Sequence, residues 1–579
     1  MLLTCNLITR VKPRHFNFGY WPFLLPLFII LAATILFPLA VLLRESLQSN
    51  GSFSFATYRR FFDFTQGANL QALLGSVNIS LLSVIFSALF GVPLAILFAR
   101  FDFPGRKIFG VLVTLPVLLP PLVGVLAFYF LLGETGILPR LLQWLFNLKA
   151  APLVMRGVTA ILIVHVYSFY VYFYLFVRNA LLAADPALEE AARNLGASRW
   201  HVWRRVIFPQ LLPAILGAAL LVFMTSMASF TAPYIFGGNW RFLTVEIYNS
   251  KLNGDMPMAI TQAVIVAAIS LLFLLVMRFQ SGQAITGFGR GTKGVAKAGN
   301  LRQLPALQKF SLALLGLIVM VSLILPQLTL VMIAFVKNGS WTSQILPDTF
   351  TLENFTTLWR QRQFLQPFWN SFWMATLATF AGAIVSFIAA WLQTKFTAPN
   401  QTRVLPAVID AVVMLPYAIP GTVIAIALIA TFNEPHWFTA NNILVGTAAI
   451  LPLAYFIRHL PIQFRATAAA FAQFDPALDE AARNLGASWW RRMSRVTIPL
   501  ILPGIVTGAM VALVNALGEF VASILLYTYS TEPLSVRIFS ELRIFNLGSV
   551  AAYSVILTAI IGLVMWLNQK WVGDRSTMI

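Results

Sequence analysis

The chain has 579 residues, of which 59% are hydrophobic and only 10% charged, with a mean hydropathy of +0.80. A soluble domain is about a quarter charged, so a water-soluble globule is excluded. The 40 Lys and Arg against 20 Asp and Glu give a formal charge of +20. These cations sit in short loops between apolar runs, as the positive-inside rule expects, which removes nucleic acid as a partner.

In chain order, Arg10, Lys12 and Arg14 precede an apolar run over 21–43. That run is too long for a signal-peptide core and no small-residue cleavage site follows it, so it reads as a retained first membrane helix. Further runs fall at 74–98, 108–133, 158–177, 211–235 and 258–278, then at 309–336, 370–392, 407–431, 441–459, 502–528 and 549–568. Each is near the ~20 residues that cross a ~30 Å hydrocarbon core. Lipid cannot satisfy a free backbone, so each must be a helix. The expected fold is an all-α polytopic membrane protein of about twelve transmembrane helices.

With the N-terminus in the cytoplasm, Arg100, Arg106, Lys107, the 193–205 arginines, Lys395, Arg403 and the 491–495 arginines all fall inside. Both termini are then cytoplasmic. Residues 281–300, "SGQAITGFGRGTKGVAKAGN", have no apolar period and read as a flexible basic, Gly-rich linker. They mark the cytoplasmic side and could touch anionic lipid headgroups. The linker, taken as 281–308, divides the chain into membrane domains 1–280 and 309–579.

The two halves are copies. "DPALEEAARNLGASRW" starting at Asp185 is repeated as "DPALDEAARNLGASWW" starting at Asp475. "TLPVLLPP" (114–121) is echoed by "MLPYAIPG" (414–421), and "LTVEIY" (243–248) by "LSVRIF" (534–539). Both copies run in the same direction, so the fold is expected to be two parallel six-helix repeats about a pseudo-twofold along the membrane normal.

The repeated segment is written as a short helix. Asp185 and Asp475 are N-caps with Pro at the first helical position. Leu188, Ala191, Ala192 and Leu195 share one apolar face, with Glu190, Arg193 and Asn194 on or near the other. Gly196 can take the left-handed conformation that ends a helix, and a second short helix starts near Ser198. An amphipathic loop packed on its own domain would need only the apolar stripe. Identical polar residues in both copies imply that both halves grip the same kind of partner.

The pattern Glu190-Ala191-Ala192…Gly196…Val206…Pro209, and again Glu480-Ala481-Ala482…Gly486…Val496…Pro499, resembles the EAA loop of ABC-importer permeases. The loop also carries Arg193 and Arg483. The resemblance covers nearly the whole chain, with each loop between the fourth and fifth helices of its half. It implies a fused permease of a bacterial inner membrane. The two loops would couple to two copies of a cytoplasmic ABC ATPase subunit, and an extracytoplasmic binding protein would deliver the substrate. The residue before the terminal Pro of the motif, Leu in the family, is Phe208 here and Ile498 in the second copy; both stay apolar.

No G-x-x-x-x-G-K-[ST] occurs, so ATP hydrolysis is expected on another polypeptide. His15, His165, His201, His436 and His459 are scattered, and Cys5 is the sole cysteine. No catalytic constellation, metal site or cofactor is expected.

Glu519, in "NALGEFVAS" (515–523), lies within an apolar span. An ionisable residue there is a functional hypothesis by default, and the aligned first-half residue is Ser229. Glu519, Ser229 and Asn515 are the candidates for the substrate pathway. Alternatively, Glu519 reaches a helix end or pairs with a cation such as Arg537. His165, in a Tyr-rich fourth helix, reads as packing and interfacial anchoring. Fused chains with this loop and a late Gly-Glu-Phe resemble the ferric-iron group, while similar permeases serve thiamine, phosphonates, sugar phosphates or polyamines. A twelve-helix secondary transporter is the competing class, but it would not need a duplicated docking helix after the fourth span.

Overall fold

A computed structural model describes residues 20–49, 51–65, 67–288, 304–340, 347, 349–360, 362–396 and 404–576. Cys5, His15, the N-terminal cations, Arg403 and linker residues 289–303 lie outside them. The described chain is almost entirely helical, with one two-stranded hairpin, Gln48–Ser49 against Ser52–Phe53.

The first repeat has helices Trp21–Ser46, Ala68–Arg100, a broken third, Gly157–Ala183, a fifth at Phe208–Met227 and Met256–Phe288. The second has Ala306–Ala334, Arg362–Phe396, a broken third, Ile450–Gln473, a fifth at Ile498–Leu517 and Leu547–Ser576. Ten described helices are long and apolar enough to cross a membrane, and one bent pair brings the total to eleven. The tenth expected span, 441–459, is not among them and is shifted. Asn441 and Gly446 take positive φ and residues 440–449 turn outside a helix. The fourth helix therefore starts at Ile450 and runs on through Arg458 and Arg465 to Gln473. The sixth helix of the first repeat also passes the expected linker start at 281 and ends at Phe288.

The third and fifth spans, expected to be continuous, are broken. In the first repeat the third consists of Arg106–Leu112, a single tight turn Leu115–Leu118, and Pro121–Leu132. In the second, Val404–Ala418 meets Gly421–Phe432 at 105°. Pro116, Pro120, Pro416 and Pro420 explain both breaks, because proline removes an N–H and clashes with the preceding turn. A carbonyl freed inside a membrane must find a donor within the protein. The Tyr170 hydroxyl supplies one to the Val113 carbonyl at 2.6 Å.

Within a repeat the second and fourth helices pack closely. Ser76, Ser80, Ser83, Ser87, Gly91 and Ala95 form a buried stripe of small residues along one side, the pattern that lets membrane helices approach. At Gly91 a Cβ would stand 2.4 Å from the Tyr170 carbonyl oxygen, so glycine is required there.

The first helices are exchanged between repeats. Tyr20 and Phe23, at the start of Trp21–Ser46, set their rings on Trp391 of the second repeat at 5.6 and 5.2 Å, and Phe37 meets His436 at 5.3 Å. Ala306–Ala334 lies against the first repeat, where Tyr167 donates to the Leu323 carbonyl at 3.0 Å. The main apolar core accordingly draws residues from both halves.

Candidate functional site

Helices Pro186–Asn194 and Pro476–Asn484 follow the two fourth helices. Asp185 accepts from the Ala187 N–H and Asp475 from the Ala477 N–H, each at 2.9 Å. Gly196 and Gly486 have φ of +82° and +78° with open space around them. Ser198 and Ser488 then cap the next short helices, accepting from His201 and Arg491. The turn chemistry is thus the same in both copies.

Each helix is tied to its own repeat by an acid that the motif does not single out. Glu189 pairs with Arg100 at the end of the second helix, and with Arg193 at 3.7 Å. Asp479 pairs with Lys395 at the equivalent helix end at 3.5 Å and with Arg492 at 3.4 Å. The inward side is therefore Glu189 with Ala192, and Asp479 with Ala482. Of the expected apolar stripe only Ala192 and its counterpart Ala482 pack inward; the leucines do not. Leu188 and Leu478 are exposed, Leu195 and Leu485 are each 88% exposed, and Trp200 and Trp490 stand beside them. Ala191, Glu190, Arg193 and Asn194 face outward as well, as do Ala481, Glu480, Arg483 and Asn484. Burying a leucine side chain is worth about 1.5–3 kcal/mol, and apolar patches left open with polar rims mark interaction surfaces.

The broken fifth helices carry the other candidates. Phe208–Met227 stops before Ser229 and resumes as Thr231–Phe236; Ile498–Leu517 stops before Glu519 and resumes as Ser523–Leu526. The freed carbonyls are satisfied alike: Thr244 donates to Ser229 O at 2.6 Å, and Ser535 to Glu519 O at 2.7 Å. Phe230 and Phe520, one residue beyond each break, face each other across the pseudo-twofold with ring centroids 5.8 Å apart. Both are buried.

The family of binding-protein-dependent transport system inner membrane components matches the chain twice, over residues 91–282 and 396–575, more than half its length. The chain belongs to that family of ABC-importer permeases. A probable ABC transporter permease of Sinorhizobium fredii is 27% identical over 90% of this chain and 90% of its own. The ferric transport system permease FbpB of Actinobacillus pleuropneumoniae is 26% identical over 88% of this chain and 72% of its own. The molybdenum transport system permease ModB of Escherichia coli is 37% identical over 29% of this chain and 72% of its own.

Inside the permease, Glu519 does not reach Arg537, which pairs instead with Glu541 at 2.7 Å and Glu532 at 3.5 Å. Glu519 Oε2 accepts from Arg458 Nε at 2.6 Å, and Oε1 accepts from the Ala522 N–H at 3.0 Å, capping the resumed helix. His459 Nε2 lies 3.9 Å away. The carboxylate is 6% exposed, the arginine side chain 24%. Ser229 instead joins a neutral network: His165 Nε2 is 2.9 Å from its hydroxyl, while His165 Nδ1 meets Ser83 at 2.9 Å and Ser226 at 3.2 Å. His165 is thus a buried, hydrogen-bonded packing residue. Asn515 is exposed and donates to its own Val511 carbonyl. The three pathway candidates are not brought together: Ser229 and Glu519 serve separate breaks, and Asn515 lies one turn before Glu519.

Arg458 was missed by sequence reasoning. Its signal was a cation inside an apolar run, "LAYFIRHLP" (453–461), which the membrane cost of charge should have matched with Glu519. Among the described residues, no cluster of His, Cys, Asp and Glu could hold a metal ion.

Proposed function

We propose that the permease is the membrane part of an ATP-driven importer whose helices Pro186–Asn194 and Pro476–Asn484 dock into two copies of a cytoplasmic ABC ATPase. The observation that carries this reading is the outward face that each helix repeats, Leu188/Leu195 and Leu478/Leu485 beside Glu190 and Glu480, ended by a glycine at positive φ. Glu190, Ala191, Arg193 and Gly196, with Glu480, Ala481, Arg483 and Gly486, form the coupling surfaces, and Ala192 and Ala482 of the same motif seat each helix on its own repeat. Approach of the two ATPase subunits on binding ATP draws the loops together and switches access to the pathway. ATP is hydrolysed on those subunits, and a separate extracytoplasmic protein delivers the cargo. The setting is a bacterial inner membrane with both termini on the cytoplasmic side.

The cargo we assign is ferric iron, as the name of the FbpB relative, matched over 88% of this chain, suggests. A second reading is an oxyanion. Both Glu519 oxygens are engaged and Arg458 is the more exposed member of the pair, and a molybdenum permease is among the relatives.

The test is native mass spectrometry of the tagged chain purified in mild detergent, with ATP-driven uptake by the complex in proteoliposomes. Two P-loop ATPase subunits per chain are expected, and Gly196→Val with Gly486→Val should abolish uptake without loss of membrane insertion. A chain that purifies alone and transports on an ion gradient without ATP would refute the proposal. Radiolabelled ferric ion and molybdate, each presented with the cognate binding protein, separate the two cargo readings.

A further inference from the structure

Between the ends of the second, third and fourth helices of the first repeat lies a cavity of about 390 Å³. It is on the side of the membrane that carries helix Pro186–Asn194, since Arg178 in its wall is two turns before Pro186. Arg106, Lys107 and Arg178 line it, with Tyr174, Phe98 and Thr114, whose hydroxyl donates to the Val111 carbonyl at 2.7 Å. Among the described residues no carboxylate is in its wall. Arg106 uses Nε on the Phe98 carbonyl at 2.9 Å, which leaves the far end of its guanidinium for other acceptors. Arg178 Nε is buried without a hydrogen-bond partner. A buried donor left unmade is costly, and three cations sharing one cavity repel one another unless an anion joins them.

The second repeat does not carry these cations at the aligned positions. When the two proline breaks are aligned, Pro406 and Ala407 stand for Arg106 and Lys107. On the offset that pairs Ser229 with Glu519, Phe464 and Ala468 stand for Tyr174 and Arg178. Coupling to an ATPase is common to both repeats, so it does not account for cations present in only one. Positive-inside bias accounts for charge near the membrane surface, but not for a guanidinium turned into a cavity beside a tyrosine hydroxyl.

We infer that this cavity binds a phosphate group, held by Arg106, Lys107 and Arg178 with the Tyr174 hydroxyl donating to its oxygens. Arginine forks suit phosphate oxygens, and basic pockets between membrane helices on this side take anionic headgroups. The phosphate comes from an anionic phospholipid of the adjacent leaflet or from free phosphate in the aqueous phase. The site needs no ATPase to form, so the inference survives if the coupling reading fails.

The experiment uses the full chain in nanodiscs and in detergent. Phosphatidylglycerol, phosphatidylcholine and inorganic phosphate are the probes, and Lys107→Gln, Arg178→Gln and their double are the variants. Lys107 is exposed, so its variant keeps the fold, and size exclusion reports the state of the others. Native mass spectrometry should retain phosphatidylglycerol over phosphatidylcholine on the wild type. Each lost cation should weaken retention about fivefold, the worth of one basic residue near an anionic surface. Binding of inorganic phosphate that displaces phosphatidylglycerol and fades in the same variants assigns the site to free phosphate. Equal retention of both lipids by wild type and double variant, with no phosphate binding that depends on Arg178, overturns the inference.

Discussion

The two repeats break their fifth helices at the same place and stabilise the break by different chemistry. At Ser229 the surrounding groups are neutral: a histidine bridges three hydroxyls from the second and fifth helices. At Glu519 a buried carboxylate caps the resumed helix and leans on Arg458 from the fourth helix. The backbone solution is shared, with Thr244 and Ser535 supplying the same hydrogen bond. What the duplicated fold requires is therefore a broken helix with its carbonyl satisfied. A charge is an addition made by one repeat alone.

The largest effect should come from Arg458→Met. It leaves Glu519 buried without its cation, a loss of about 3–5 kcal/mol, seen as a lower midpoint of unfolding in detergent. Adding Glu519→Gln to that variant should restore much of the loss. If the double change is no better than the single, the ion pair does not set stability. His165→Ala, the matching disruption in the first repeat, removes a bridge between buried hydroxyls and should cost about 1–3 kcal/mol, less than Arg458→Met. An equal or larger cost would reverse the ranking of the two breaks.

The coupling helices should behave alike where the breaks differ. Gly196→Ala and Gly486→Ala each force a Cβ into positive φ and should each cost about 1 kcal/mol, with matching losses of uptake. Unequal losses would mean that the two helices do not work as equivalents. The smallest effect belongs to the anchors. Arg100→Gln and Lys395→Gln each remove a partly buried ion pair at the membrane surface worth roughly 1 kcal/mol, so limited proteolysis of the loop is the sensitive readout.

The membrane class, the repeat and the loop helices were legible because each rests on local chemistry: apolar length, Asp-Pro starts and Gly stops. The proline pairs at 116/120 and 416/420 were visible too, but hydropathy is blind to a bend, and the spans read as continuous. In the first repeat Pro233, four residues past Ser229, lacks the N–H that would close on that carbonyl, but the second-repeat break at Glu519 carries no proline, and a freed carbonyl answered by Thr244 or Ser535 from a distant turn leaves no pattern in a single segment. The direction of the loop helices also escaped reading. A stripe of leucines predicts an apolar face without saying whether its neighbour is in the same chain, and it was Glu189 with Arg100 that fixed the orientation. Arg458 shows the same limit, since its partner lies in another helix and only the cost of charge in lipid connects them.

The exchanged first helices impose a schedule on synthesis. Trp21–Ser46 leaves the ribosome early, whereas the residues that seat it, Trp391 and His436, are added much later. At ~5–20 residues per second the helix must wait on the order of tens of seconds among lipids with its final contacts unmade. Its mean hydropathy of 2.6 is the highest of the candidate spans. A segment that greasy can persist alone in the bilayer until the second repeat arrives to enclose it.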